Sequence, residues 1–160
     1  LITSCCGGRM ADIARIDDSA VPEDVRQSVF TVACDVDTPF CGREGATHVF
    51  APQKGADKDM VTHLEQGMVS LAQLLKREYN QDIASMPGAG AAGGMGGGCY
   101  ALLNATLTSG IEMVLDAMDF DAIIQDADLI ITGEGKIDSQ TSSFPNGFVS
   151  PFGLPFFLHK

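Results

Sequence analysis

Residues 87–98, written PGAGAAGGMGGG, constrain this chain more than any other stretch. Inside a helix or strand each glycine costs about 0.5–1 kcal/mol against alanine, so a run this rich in glycine serves something other than propensity. Two uses compete. Without Cβ atoms a backbone turns at positive φ and brings its N–H groups to an anion, or it packs tightly where another backbone crosses it. Residues 99–105 read as a helix, so an anion on this loop would meet a partly positive helix N-terminus. The loop also spells GxGxxG at Gly88, Gly90 and Gly93. A dinucleotide site needs a buried strand just before those glycines, and residues 80–86, NQDIASM, do not read as one.

A formal charge of −11 argues against nucleic acid and anionic membrane as partners, since both select clustered Lys and Arg. Any phosphate ligand is then held by local donors or by a metal. Cys5, Cys6, Cys34, Cys41 and Cys99 are odd in number and form no C-x-x-C pair, which points to a reducing cytoplasm rather than a disulfide framework or a zinc site. His48, His63 and His159 show no metal-binding spacing. No run approaches the roughly 20 apolar residues of a membrane span, and no signal peptide is evident. The hydrophobic content of 45% is that of a globular chain, and the length suits one domain or one plus part of another.

Residues 28–34, SVFTVAC, predict a strand that ends at Asp35 and Asp37. Two carboxylates thus stand where a strand emerges, the edge at which open α/β sheets bind ligands, although loop acids also serve merely to cap turns. Residues 47–50 predict a second, brief strand. After it Lys54 lies between Pro52 and Gly55, from where an ammonium can reach an anion at a helix mouth; a lysine touching nothing is the competing reading. The spacing of Val61, Leu64, Met68, Leu71 and Leu75 predicts a helix over 59–79, weakened by Gly67.

Ser109 to Glu112 has the form of a capping box, predicting a helix that ends near Phe120 and accounting for Glu112 locally. Residues 128–132, DLIIT, predict a strand of the kind buried on both faces of a parallel sheet, delivering Glu134 and Asp138 to its carboxyl end. Glu134, flanked by Gly133 and Gly135, has the open surroundings of a carboxylate that meets a ligand, a metal or an attacking hydroxyl. From residue 142 the phenylalanine-rich sequence shows no period, and 142–160 is expected to be irregular.

Three blocks now stand in order: DVDTPFCG at 35–42 running to FAPQKGA at 50–56, PGAGAAGG at 87–94, and DLIITGEGKIDSQT at 128–141. Together they resemble the bacterial type I glycerate kinases, whose pattern reads D-V-D-N-P-L-C-G, P-Q-K-G-A, P-G-A-G-A-A-G-G and D-L-V-I-T-G-E-G-R-x-D-x-Q-T. Thr38, Phe40 and Lys136 depart mildly from it. The chain begins without Met, the family's G-G-S-A-T-N-D-G-G loop is absent, and no G-K-A-P segment follows Gln140-Thr141. A truncated or frame-shifted reading of such a gene is the expectation.

The resemblance implies an α/β fold of glycerate kinase type, an inserted α/β domain plus part of a flavodoxin-like, Rossmann-like domain. Residues 1–120 would form most of the inserted domain, 121–141 the return into the flavodoxin-like one, and 142–160 a tail outside the pattern. It also implies ATP-dependent phosphorylation of D-glycerate in the cytoplasm, with Mg²⁺. In that setting Gly88, Gly90, Gly93 and Gly94 bind an anionic group and Lys54 neutralises phosphate or the glycerate carboxylate. Glu134 or Asp138 binds Mg²⁺ or orients the hydroxyl, with Asp35 and Asp37 in reserve. The rivals are a partial domain inactive by itself and a dinucleotide-dependent oxidoreductase.

Overall fold

The structure, a computed structural model, describes residues 6–127, 130–131, 148–149 and 155–157. The chain divides into two compact units, Leu1–Met113 and Val114–Lys160, with the boundary inside one helix.

The first unit is built on a parallel pair, β1 (Thr31–Ala33) and β2 (Thr106–Thr108), in the register Thr31 to Thr106, Val32 to Leu107 and Ala33 to Thr108. Flanking bonds lengthen the ladder: Thr106 N–H donates to Phe30 O at 2.9 Å and Cys34 N–H to Thr108 O at 2.8 Å. A short helix, α1 (Glu23–Gln27), precedes β1. Between the strands run α2 (Ala46–Phe50), α3 (Lys58–Tyr79) and α4 (Ala91–Leu103), the long crossover that parallel pairing demands.

The predicted helix over 59–79 is α3, and its ends show why it forms there. Asp57 caps the first turn by accepting Met60 N–H at 2.8 Å, Lys76 and Arg77 sit at the negative end, and left-handed Asn80 stops the helix. Its buried face carries Val61, Met68, Ala72, Leu74 and Leu75. Gly67, a weak point by propensity, is where the turn Gly7–Asp12 lies against the helix; a Cβ there would come within 2.9 Å of Met10 Cβ. Met68, Ala72 and Leu75 join Phe40, Ala46, Ile83, Ala89 and Ala101 in one core. Burying each of the large members contributes about 1.5–3 kcal/mol.

Several expectations change. Residues 47–50 are helical, not extended: Val49 N–H donates to Gly45 O, Ala51 N–H to Thr47 O, and buried Ala46 and Thr47 pack this turn inward against their strand propensity. The glycine-rich α4 is broken at Ala92, Gly93 and Gly94, with φ of 51, 76 and 105°, so regular helix starts at Met95. The helix after β2, α5 (Gly110–Ala117), stops short of Phe120, because left-handed Asp119 turns the chain into a separate α6 (Phe120–Ile124).

In the second unit β3 (Ile130–Ile131) does not enter a parallel pair. It lies antiparallel to β5 (Pro155–Phe157), which pairs antiparallel with β4 (Phe148–Val149). The region expected to be irregular therefore supplies two strands. Phenylalanine favours strands, and Pro155 is tolerated because it is the first residue of its own.

Candidate functional site

Of the predicted site residues, Asp35, Asp37, Gly88 and Gly90 lie past the carboxyl end of β1. One residue past β2's end loop, at the start of α5, Gly110 donates its N–H to Asp35 Oδ1 at 2.7 Å. A carboxylate 75 residues upstream in the chain thus caps the partly positive helix end, which fixes Asp35 while leaving it exposed. Asp37 follows, also exposed, and then the chain dives inward through Thr38 and Pro39 to buried Phe40.

This inward segment meets the glycine stretch. Gly90 N–H donates to Thr38 O at 2.9 Å, and a Cβ on Gly90 would fall on Pro39 O. Gly88, at φ 78°, lies against β1's exit, where the Cys34 thiol contacts Val36 O at 3.2 Å and Gly88 O at 3.6 Å. Gly97 N–H donates to Ala89 O at 2.8 Å, and its missing Cβ makes room for Phe40 and Ile83. Close packing therefore accounts for Gly90 and Gly97. At the break in α4 the two glycines differ: Gly94 packs against Met68 and Phe40, whereas Gly93 is exposed with nothing within 4 Å of its Cβ position, and the N–H groups of both donate to Gly90 O.

Lys54 belongs to another place in the same unit. The turn Pro52–Lys54 closes on Gly55 at φ 92°, and Lys54 is exposed. With Ala51, Ala56, Met60, His63 and Leu64 it lines an open cavity of about 380 Å³, to which no residue of 87–98 contributes. His63 is occupied structurally, its Nε2 lying 2.8 Å from Gly8 O.

Two features escape the sequence reading. The Asp35 to Gly110 bond joins residues with no local relation. The other is Glu65 on α3, whose Oε1 accepts Gly42 N–H at 2.5 Å. A signal for it existed: Glu65 falls at helical spacing with buried Val61, Met68 and Ala72. Nearby, burial pushes the Cys41 thiol pKa up, helped by the charges of Glu65 and Asp82. The Lys76 ammonium, bonded to Asp82 at 2.5 Å, holds that carboxyl below its usual range.

Asp35, Asp37, Gly88 and Gly90 thus lie on segments that pack together past the end of β1, Gly93 and Gly94 stand at the break of α4, and Lys54 lines its own cavity. Glu134 and Asp138 lie outside the described residues. Among the described residues no three His, Cys, Asp or Glu side chains form a metal-holding group, four cysteines are free, and no helix is long and apolar enough to cross a membrane. Residues 80–86 form no strand, which removes the element a dinucleotide fingerprint requires before its glycines.

Comparison with known proteins agrees with the motifs. The profile of the Glycerate kinase family matches residues 2–144. The glycerate kinase of Halalkalibacterium halodurans is 46% identical over 135 residues, covering 84% of this chain and 36% of that protein. The glycerate kinase of Bacillus subtilis is 47% identical over 135 residues, covering 84% and 35%. A crystal structure of a protein assigned as glycerate kinase 2 from Salmonella typhimurium LT2 superposes with a TM-score of 0.73 at 45% identity, over 84% of this chain and 36% of that one. The chain therefore spans about a third of the length of these relatives. Family profile, identity and backbone agree over the same region: the chain belongs to the glycerate kinase family.

Proposed function

We propose that this chain is the part of a cytoplasmic glycerate kinase that carries one wall of the phosphotransfer site, at which ATP gives its γ-phosphoryl group to a hydroxyl of D-glycerate. The observation that supports it is the meeting of the acid-bearing 35–40 segment with Gly88 and Gly90 at the carboxyl end of a parallel pair. On this reading residues 1–120 are most of the inserted domain, 121–141 return to the flavodoxin-like one, and 142–160 lie outside the pattern.

Phosphoryl transfer asks a protein mainly for positioning and charge neutralisation. Asp37, exposed past the end of β1, orients the attacking hydroxyl or contacts the metal; Asp35, held by Gly110, keeps the start of that loop in place. The Gly90 N–H is engaged by Thr38 O and those of Gly93 and Gly94 by Gly90 O, so an anion at the break of α4 is bound only as the Gly93 and Gly94 N–H groups exchange Gly90 O for it. Lys54 supplies the cation for a phosphate or for the glycerate carboxylate. Mg²⁺ needs only one or two carboxylates besides phosphate oxygens, a role the family motif assigns to Glu134 or Asp138; bound there it would neutralise charge on the transferring group.

A chimaera tests this. Residues 6–127 of this chain replace the matching stretch of the Halalkalibacterium halodurans relative, and ADP formation with D-glycerate is followed with the product identified by ³¹P NMR. Turnover within about tenfold of the parent is expected, falling by about 10²-fold or more in Asp37→Asn. The 160-residue chain alone is expected to give none. A folded chimaera that binds neither ATP nor D-glycerate sinks the proposal.

A further inference from the structure

The segment that brings Asp37 and Thr38 to the glycine stretch is fixed from three sides. Gly90 N–H holds Thr38 O, Ala84 O receives Cys41 N–H at 3.2 Å, and Glu65 Oε1 receives Gly42 N–H at 2.5 Å. The third hold is chemically odd. Glu65 is a half-buried residue of α3, one turn from buried Val61 and Met68, and its Oε2 is buried with no hydrogen-bond partner among the described residues. An unpaired carboxylate oxygen in such a place is unfavourable, so the favourable half of the group, its grip on Gly42, has to account for the residue. Gly42 is also the hinge of the segment: it sits at φ 100°, and its O accepts Gly45 N–H at 2.9 Å as the chain turns into α2.

We propose that Glu65 is a positioning residue of the candidate site, which pins the turn at Gly42 and through it the placement of Asp37 and Thr38 against the glycine stretch. It touches no reacting atom. This assignment rests on the phosphotransfer reading only for the purpose the segment serves, and the test is made without any turnover, so either can fail alone.

Cys41, next to Gly42, is a built-in reporter because the Glu65 charge helps burial to hold its thiol protonated. The experiment compares the 160-residue chain with Glu65→Ala and Glu65→Gln by residue-resolved amide exchange and by the pH dependence of Cys41 alkylation. In Glu65→Ala, Gly42 exchange rises about tenfold while Leu75 and Ile83 stay within about twofold, the pattern of a local rather than a global opening. In Glu65→Gln, whose carbonyl still accepts, Gly42 protection returns to within about threefold of the parent, and the Cys41 midpoint moves to lower pH as a negative charge is lost. Unchanged Gly42 exchange in Glu65→Ala, equal acceleration of Leu75 and Ile83, or no rescue by glutamine overturns the assignment. Should the alanine variant fail to fold, an unmoved Cys41 midpoint in Glu65→Gln does so.

Discussion

The glycine stretch at 87–98 and the turn Pro52–Lys54 with Gly55 look alike as sequence, each placing glycine before a helix, and they differ in what the glycine does. At Gly90 the absent Cβ is filled by the Pro39 and Thr38 carbonyls, and at Gly97 by Phe40 and Ile83. At Gly55 nothing stands within 4 Å and only the positive φ of 92° calls for glycine. The first region is interlocked with the core; the second is an open turn presenting a cation beside a cavity. Glycine in a site motif therefore reports close approach in one case and chain reversal in the other, and only the first couples the motif to the stability of the whole unit.

Substitution separates the two. Gly90→Ala puts a methyl onto backbone atoms that have no freedom to yield, and we expect a loss of about 3 kcal/mol or more, read as the urea midpoint of the chain. Gly97→Ala meets side chains instead, Phe40 Cδ2 at 2.7 Å and Ile83 Cδ1 at 2.9 Å. Those can shift, so about 1–3 kcal/mol is expected. Gly55→Ala pays only for the left-handed conformation, about 1–2 kcal/mol. If Gly55→Ala proved as damaging as Gly90→Ala, the contrast between an interlocked and an open turn would be gone.

What the sequence made legible follows the same division. The helix α3 was readable because its apolar spacing, the Asp57 cap and Asn80 are local signals that agree. The strand at β1 and the acids at its exit were readable too, since Val29, Val32 and their neighbours form an uninterrupted run. The second strand of the pair was not: Thr106 to Thr108 is too short to show a period, and its place is set by hydrogen bonds to a strand 75 residues away in register. The helical turn at 46–50 was hidden for a related reason, as inward packing of Ala46 and Thr47 outweighs the strand preference of Thr47 and Val49. At 130–131 the composition announced a strand but not its neighbour, and the antiparallel partner β5 comes from the segment that had no period at all. In the site, Asp35 and Asp37 could be placed by their position after a strand, whereas the Gly110 N–H that fixes Asp35 exists only in three dimensions.

The interlocked region should also be the one that responds to alkali. The Cys41 thiol is held protonated by burial first, then by Glu65 and Asp82. Its pKa is therefore higher folded than unfolded, so the folded chain binds more protons between those two values. That contribution is complete below the ordinary thiol range and is lost as pH rises through the folded value. The urea midpoint is expected to fall across this alkaline window, by less than the glycine substitutions cause, and Cys41→Ala to flatten the fall. A fall of the same size in Cys41→Ala would place its origin outside this region.

The smallest stability effect is expected at the open turn itself. Lys54 is exposed and makes no ion pair among the described residues, so Lys54→Met keeps the aliphatic stem against the cavity and removes only the charge. Stability should stay within about 0.5 kcal/mol of the parent. The same change in the chimaera should weaken KM for ATP or D-glycerate by about 10- to 100-fold, the range for losing a charge-assisted bond to an anion. The two readouts pull the comparison apart: a turn that is structurally silent yet costs binding is a site component, while one silent in both is only a turn. In the second case the cavity beside Lys54 drops out of the proposed site, and anion binding must come from the break in α4, where the Gly93 and Gly94 N–H groups would exchange Gly90 O for the anion.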